Sequence, residues 1–200
     1  PVLSNKRKIL DFLIAYIDKL PSSPHSASSK SQIRWSEITP SELTTGNELI
    51  IYEFGVAFGE TTQYISRNLK KYFCYHGFDT FTGLPESWRG LPKGALDTNG
   101  KTPILDDSRI VFHVGLVENT LTDALIPANP MKLIILDLDL FSPSKFVLEA
   151  FSNKLRPGDL LYFDEAFDSA ERILIEEYVL KRFSTKPLCA SPFGIVYEII

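Results

Sequence analysis

The chain has 200 residues, of which 44% are hydrophobic and 23% are charged, fractions that are ordinary for a soluble globular protein of one domain. Its formal net charge of -4 at pH 7 argues against a nucleic-acid partner, because phosphate binding favours a basic surface. No apolar run reaches membrane-spanning length and the amino terminus lacks a signal-peptide pattern, so we expect no membrane partner. Cys74 and Cys189 match no zinc or disulfide spacing, so we expect reduced thiols in a cytoplasmic protein.

An amphipathic helix is predicted over residues 5–20, where apolar residues recur at three- and four-residue steps until Pro21. Residues 21–32 are rich in serine and proline, which is typical of a linker. We therefore divide the chain into an amino-terminal helix with its linker, residues 1–32, and a main domain, residues 33–200. The helix would pack on the main domain, cover its ligand cleft or join a partner subunit. The last alternative makes a homodimer a further expectation.

The first predicted strand, residues 49–52, leads into Glu53 and a turn with two glycines, Gly55 and Gly59, before a helix begins. Glycines allow the backbone to approach a ligand closely, and the start of a helix offers unpaired N–H groups. The glycine spacing differs from the dinucleotide pattern G-x-G-x-x-G, which argues against an NAD-dependent enzyme. A carboxylate two residues before the first glycine fits a ligand with an amine and hydroxyls, as S-adenosylmethionine has.

The rest of the chain alternates between predicted strands and helices. Strands are predicted over residues 72–79, 109–114, 131–140 and 159–163, with two further strand-like segments over 187–190 and 194–200. This pattern predicts an α/β fold, a Rossmann-like, doubly wound, mostly parallel seven-stranded sheet with flanking helices and an amino-terminal helical appendage. We expect Ser142 to cap the helix that follows the fourth strand. Asp168 and Glu171 have capping-box spacing for the helix that follows the fifth strand. The long loop through residue 107 is typical of a lid.

Acidic side chains stand at the carboxyl ends of four predicted parallel strands, which is where ligands of such sheets bind. They are Glu53, Asp79, the pair Asp137 and Asp139, and the pair Asp164 and Glu165. Asp79 is placed where nucleotide-binding proteins of this class hold ribose hydroxyls; the alternative is an Asx turn into Thr80.

The last two acidic pairs favour a bound divalent cation. Asp137 and Asp139 are two residues apart on a predicted strand and would project to the same side. With Asp164 and Glu165 they would bring like charges together, with no basic residue nearby in sequence. Mg²⁺ suits such oxygen ligands, whereas zinc is disfavoured because the histidines fit no ligand spacing with cysteine. The alternative is that these carboxylates cap the following helices.

With these residues in place, the chain resembles the class I S-adenosylmethionine-dependent methyltransferases and, within them, the macrocin O-methyltransferase family. The resemblance extends from about residue 49 to residue 171. It rests on five segments in order: residues 52–61, residues 77–86, Gly115 with Thr120-Leu121, residues 136–139, and Gly158 with residues 163–165. The second segment contains Phe-Asp-Thr-Phe-Thr-Gly-Leu-Pro and is the most specific of the five.

The resemblance implies an enzyme that methylates a hydroxyl of a small molecule or sugar. It implies cofactor binding by Glu53, Gly55, Gly59, Thr61, Asp79 and Gly115. It also implies that Asp137, Asp164 and Glu165 hold Mg²⁺ and that Asp139 is the general base. The family usually has an aspartate at the position of Glu165. The alternative function is a non-catalytic module that binds S-adenosylmethionine. In that case the carboxylates at the strand ends serve only to cap the following helices.

Overall fold

The computed structural model describes residues 2–21 and 49–200, so most of the predicted linker and the domain boundary after residue 32 lie outside the described residues. The elements in chain order are α1 (Lys6–Lys19), β1 (Leu49–Phe54), α2 (Glu60–Asn68), β2 (Phe73–Asp79), β3 (Ile110–Val114), α3 (Val117–Thr120), a 3-10 turn (Asp123–Leu125), β4 (Met131–Leu136), α4 (Phe141–Phe151), β5 (Leu160–Asp164), α5 (Ser169–Leu174) continuing as a π-helix (Ile175–Leu180), β6 (Thr185–Ser191) and β7 (Gly194–Ile199). Among these helices, none combines the length and the apolar character needed to cross a membrane.

The seven strands form one sheet in the order β3-β2-β1-β4-β5-β7-β6. Strands β1 to β5 pair in parallel, and β7 runs antiparallel between β5 and β6. The predicted Rossmann-like, mostly parallel sheet is therefore confirmed. The strand order reverses between β1 and β4, and in open α/β sheets a crevice forms at that position, outside the carboxyl ends of the strands.

Both faces of the sheet are buried, which explains why the central strands are almost entirely apolar. Side chains alternate between the faces along β1. Ile50, Tyr52 and Phe54 lie in one core cluster, which also contains residues of α4 and α5. Leu49 and Ile51 lie in the other core cluster, which contains residues of α1 and α2.

Helix α1 packs on the main domain, which was the first of the three alternatives. Ile9, Leu13 and Ile17 are at most 1% exposed and belong to the same core cluster as β1. The hydroxyl of Tyr16, near the carboxyl end of α1, donates a hydrogen bond of 2.9 Å to Glu198 on β7 and so connects this end of the helix to the sheet. Because the apolar face of α1 is buried within its own chain, the homodimer prediction loses the observation that motivated it.

Strand β4 is shorter than predicted, and this changes the placement of two aspartates. It ends at Leu136, and the N–H of Asp137 makes a last hydrogen bond of 2.9 Å to the carbonyl of Phe54. Asp139 then adopts a left-handed backbone conformation, with φ of +62°. Asp137 and Asp139 therefore lie beyond the end of β4, and the prediction that both are strand residues was wrong.

The two predicted helix caps have different outcomes. Helix α4 begins at Phe141 with Leu140 as its N-cap, so Ser142 lies inside the first turn and the predicted serine cap was wrong. Asp168 is the N-cap of α5, and its carboxylate accepts a hydrogen bond of 2.8 Å from the N–H of Ala170. The chain therefore enters α4 earlier than the Ser-Pro signal indicates.

Candidate functional site

A cavity of about 860 Å³ lies at the crevice between β1 and β4. This volume is in the range of sites that bind small molecules and cofactors. Most of the predicted site residues line it, namely Glu53, Gly55, Thr61, Asp79, Gly115, Asp137 and Asp139. The other three predicted site residues, Gly59, Asp164 and Glu165, do not line the cavity. Helix α1 contributes Lys6, Arg7 and Leu10 to the lining, so the amino-terminal helix also covers the ligand cleft, as the second alternative predicted.

The glycine turn after β1 is packed against the chain that leaves β4. Gly55 has φ of +88°, and a Cβ atom at this position would lie 1.8 Å from the carbonyl oxygen of Asp137. Gly59 has φ of +76° and forms the N-cap of α2, where a Cβ would lie 2.6 Å from Cγ of Pro103. Gly55 therefore sets the width of the crevice, and Gly59 allows the long loop to pack onto the turn.

Glu53 is a buried carboxyl in the cavity wall. Its Oε2 atom accepts a hydrogen bond of 2.8 Å from the hydroxyl of Tyr75 and a second one from the hydroxyl of Thr62. Burial raises the pKa of Glu53 to about 7, although both hydrogen bonds oppose the shift. The group is therefore close to its ionisation point at neutral pH and would gain its charge when a cation binds beside it.

Asp79 connects the end of β2 to the glycine turn. Its Oδ2 atom accepts hydrogen bonds of 2.8 Å from the N–H groups of Val56 and Ala57, and its Oδ1 atom accepts one of 2.7 Å from Phe81. The last contact forms an Asx turn, the alternative that we considered for this residue. A carboxylate has about four acceptor positions, so one remains for the predicted ribose contact.

An ammonium group lies between two of the carboxylates that we predicted to hold a metal ion. Nζ of Lys6, from the first turn of α1, lies 2.7 Å from Oδ2 of Asp137 and 2.8 Å from Oδ2 of Asp164. Burial lowers the pKa of Lys6, but the two carboxylates outweigh it and raise that pKa above its ordinary value. Burial and the nearby Asp164 raise the pKa of Asp137, and Lys6 opposes this shift.

The third predicted metal ligand also contacts a cation. Glu165, with φ of +58°, lies 3.0 Å through Oε2 from Nη1 of Arg89. The other guanidinium nitrogen of Arg89, Nη2, lies 2.8 Å from Oδ2 of Asp168. The long loop between β2 and β3 therefore reaches across to the acidic edge. Leu84 and Leu96 of this loop also line the cavity, and the lid function of the loop stays a prediction.

The predicted magnesium ligands do not fit a divalent ion in this arrangement. Asp137 and Asp164 share the ammonium of Lys6, and Glu165 is paired with Arg89. Within residues 2–21 and 49–200, no group of three histidine, cysteine, aspartate or glutamate side chains is placed to hold a metal ion. Positive charge is supplied at this edge by side chains of the protein.

Asp139 is half-buried in the cavity wall, beyond the end of β4. Burial and the nearby Glu165 and Asp164 raise the pKa of Asp139 to about 6, while Lys6 and Arg89 oppose the shift. Asp139 is thus mostly ionised at pH 7 and more basic than an ordinary aspartate. Both properties suit a general base, since proton transfer is efficient when the pKa of the base is near the working pH.

Sequence reasoning missed Lys6 as a residue of the site, and it assigned Glu171 only to a capping box. Lys6 begins a run of three cationic residues, Lys6, Arg7 and Lys8, in the first turn of α1, where the helix dipole favours acidic residues. Cations in a helix turn that favours acidic residues indicated that these side chains have partners in other parts of the chain. Glu171 is buried, and its Oε2 atom has no hydrogen-bond partner among the residues described. Burial and the neighbouring Asp137 and Asp164 raise the pKa of Glu171 to about 9, so this carboxyl adds no negative charge at pH 7.

Comparisons with known proteins identify the fold. No protein-family model and no curated protein sequence matches the chain. Among solved structures, the calicheamicin methyltransferase CalS11 is similar at a TM-score of 0.61, with 20% identity over 97% of this chain and 80% of that chain. The apo structure of CalS11, described as a TDP-rhamnose 3'-O-methyltransferase, has a TM-score of 0.55 and 23% identity over the same shares, 97% and 80%.

Two further proteins are similar over nearly the whole chain. The O-methyltransferase NovP has a TM-score of 0.55 and 15% identity over 98% of this chain and 99% of that chain. A protein provisionally described as an rRNA methylase from Clostridium thermocellum has a TM-score of 0.53 and 13% identity over 100% of both chains. The narrower resemblance to the macrocin family stays a prediction. The chain has the fold of the class I S-adenosylmethionine-dependent methyltransferases, as the sequence predicted.

Proposed function

We propose that the protein is an S-adenosylmethionine-dependent O-methyltransferase that acts on a hydroxyl of a small molecule or sugar. The observation that carries the proposal is the cavity at the β1–β4 crevice, whose wall contains Glu53, the glycine turn and Asp139. The likeness to CalS11, described as acting on TDP-rhamnose, supports a sugar acceptor.

The donor side of the cavity suits the methionine and ribose portions of S-adenosylmethionine. Glu53 would bind the ammonium group, and the backbone at Gly55 would allow close approach. Thr61 and Gly115 would complete the walls, and Asp79 would accept one ribose hydroxyl in addition to its backbone contacts. When bound, S-adenosylmethionine supplies a methyl group on a positively charged sulfur.

The acceptor side requires a base and a fixed orientation. Asp139 would take the proton of the acceptor hydroxyl as that oxygen bonds to the methyl carbon. Holding the two reactants in line is the remaining contribution of the protein, since the methyl group is already activated. No step of this mechanism passes through Mg²⁺, because the predicted ligands contact Lys6 and Arg89. The predicted magnesium assistance is therefore not part of the proposed mechanism.

Transfer of a tritium-labelled methyl group tests the proposal. The purified protein is incubated with labelled S-adenosylmethionine and, in separate reactions, with nucleotide sugars, phenols and ribosomal RNA. We expect label in a hydroxyl of one of the first two classes. Label in RNA would contradict the proposed acceptor class. Binding of S-adenosylmethionine without transfer to any acceptor would favour the non-catalytic alternative.

Glu53→Gln should weaken binding of S-adenosylhomocysteine by about 10- to 100-fold, the range expected for a lost hydrogen bond to a charged group. In the wild type, a cation bound beside Glu53 favours its ionised form. Its pKa of about 7 should therefore fall on binding, and a proton should be released near neutral pH. Affinity should accordingly rise as the pH is raised through about 7.

Calorimetry in two buffers with different ionisation enthalpies measures both the affinity and the proton release. Glu149→Gln removes an exposed carboxylate on α4 and serves as the matched control, which should behave as the wild type. Unchanged affinity and undiminished proton release in Glu53→Gln would show that Glu53 does not contact the ligand.

A further inference from the structure

Helix α1 holds Lys6 in a defined position in the wall of the cavity. The side-chain oxygen of Asn5 caps the helix by accepting a hydrogen bond of 3.0 Å from the N–H of Lys8. In the same helix turn, the guanidinium of Arg7 lies 4.5 Å from the ring centroid of Tyr64 on α2. Tyr64 also donates a hydrogen bond to Asp11. These contacts tie the first turns of α1 to α2.

The ammonium of Lys6 bridges two carboxylates from different strands, which is the arrangement that a metal ion would otherwise provide. Asp137 follows β4 and Asp164 ends β5, and each places one Oδ2 atom within 2.8 Å of the same nitrogen. The pair would otherwise bring like charges together in a largely buried place. A cation between them removes that repulsion.

The position of Lys6 is unfavourable for a lysine apart from these two contacts. It lies in the first turn of a helix, where the dipole favours negative charge, and the turn has no acidic residue to compensate. An ammonium has three N–H donors, and the two carboxylates accept two of them. No third acceptor for this ammonium lies among the described residues, so its third N–H remains for a ligand in the cavity, which Lys6 lines.

We propose that Lys6 is a built-in cation that takes the place of a divalent metal ion between Asp137 and Asp164, so that the acceptor side of the site works without metal. The link to methyl transfer rests on the proposed function. The charge of Lys6 lies near Asp139, and its third N–H can hold the oxygen of an acceptor hydroxyl. That oxygen forms the bond to the methyl carbon, the carbon–sulfur bond breaks with its electron pair left on sulfur, and the proton goes to Asp139.

The test compares Mn²⁺ binding by the wild type and by Lys6→Met, measured from the electron paramagnetic resonance signal of free Mn²⁺. Methionine keeps a long apolar side chain but leaves the two carboxylates without their cation. We expect Lys6→Met to bind Mn²⁺ at least about tenfold more tightly than the wild type, because the repulsion by the ammonium is gone and two oxygen ligands are freed. Mn²⁺ should also raise the Tm of Lys6→Met but not that of the wild type.

Three further variants make the result specific. Lys8→Met removes an exposed cation from the same helix turn and should bind Mn²⁺ as weakly as the wild type. The double variant Lys6→Met/Asp164→Asn removes the unpaired charge, which protects the fold, and should lose the gained Mn²⁺ site. Asp137→Asn in the wild-type background shows whether any Mn²⁺ bound by the wild type uses these carboxylates.

Equal Mn²⁺ binding by the wild type and Lys6→Met, abolished by Asp137→Asn, would overturn the proposal, because the metal would then displace Lys6. Failure of Lys6→Met to gain any Mn²⁺ binding would also overturn it, because the carboxylates would not form a divalent site. S-adenosylhomocysteine binding is measured in parallel on every variant. If the wild type does not bind S-adenosylhomocysteine, the proposed function is contradicted, whereas the comparison of Mn²⁺ binding remains valid.

Discussion

Replacing Asp139 with asparagine should lower the rate of methyl transfer by about 10²- to 10⁴-fold, the contribution expected of a general base. Asparagine has nearly the same size as aspartate but cannot take up the acceptor proton. It also tolerates the left-handed backbone conformation that residue 139 adopts, with φ of +62°, so the fold should be retained. Binding of S-adenosylhomocysteine should be unchanged, because Asp139 belongs to the acceptor side of the cavity.

The prediction for Asp139 is checked by single-turnover transfer of a labelled methyl group and by calorimetry on the same preparation. Asp123→Asn, in the exposed turn Asp123–Leu125, is the matched control and should keep full activity. Normal turnover by Asp139→Asn would show that another group takes the proton.

The second large effect is expected for Gly55→Ala. A Cβ at this position would lie 1.8 Å from the carbonyl oxygen of Asp137, and the φ of +88° already disfavours any residue except glycine. Backbone strain and overpacking together should cost about 2–5 kcal/mol of unfolding free energy. For a chain of this size the loss corresponds to a Tm lower by about 4–20 °C. The displaced turn should also lose S-adenosylhomocysteine binding.

The variant Gly90→Ala separates the cost of backbone strain from the cost of overpacking. Gly90 has φ of +82°, close to that of Gly55, but among the described residues no heavy atom beyond Gly90 and its two chain neighbours lies within 4 Å of the position that its Cβ would take. This variant should therefore show only the backbone cost, about 1–2 kcal/mol. Thermal unfolding of both variants measures the difference. An equal loss of stability in the two would show that contact between the turn and Asp137 does not set the width of the crevice.

The sequence predicted the sheet and the edge at which the candidate site lies, because the evidence for both is local. Apolar strand segments alternate with segments of helical periodicity, and acidic residues stand at the ends of the strands, at positions 53, 79, 137 and 164. Parallel strands bring their carboxyl ends to one edge, so these residues had to lie near the same crevice.

The partners of the acidic residues could not be predicted in the same way, because they come from distant parts of the chain. Lys6 is 131 residues from Asp137, and Arg89 is 76 residues from Glu165. A cluster of carboxylates with no basic residue nearby in sequence therefore indicated a metal ion, whereas tertiary packing supplies an ammonium and a guanidinium. Only the cationic first turn of α1 signalled that these groups have distant partners.

Asp79 shows a second limit of sequence reasoning. An acidic residue at the end of β2 suits both a ribose contact, which we predicted, and an Asx turn, which was the alternative. The distances to the N–H groups of Val56, Ala57 and Phe81 show that the carboxylate holds the glycine turn in place. These contacts depend on how β1 and β2 pair, which local sequence does not determine.

Calorimetric titration of S-adenosylhomocysteine into metal-stripped wild-type protein, with EDTA present, tests the central claim most directly. Binding at a single site, unchanged by EDTA and weakened in Glu53→Gln, is the result that we predict for a donor site in the β1–β4 crevice. Absence of binding, or binding that appears only after a divalent ion is added, would contradict it.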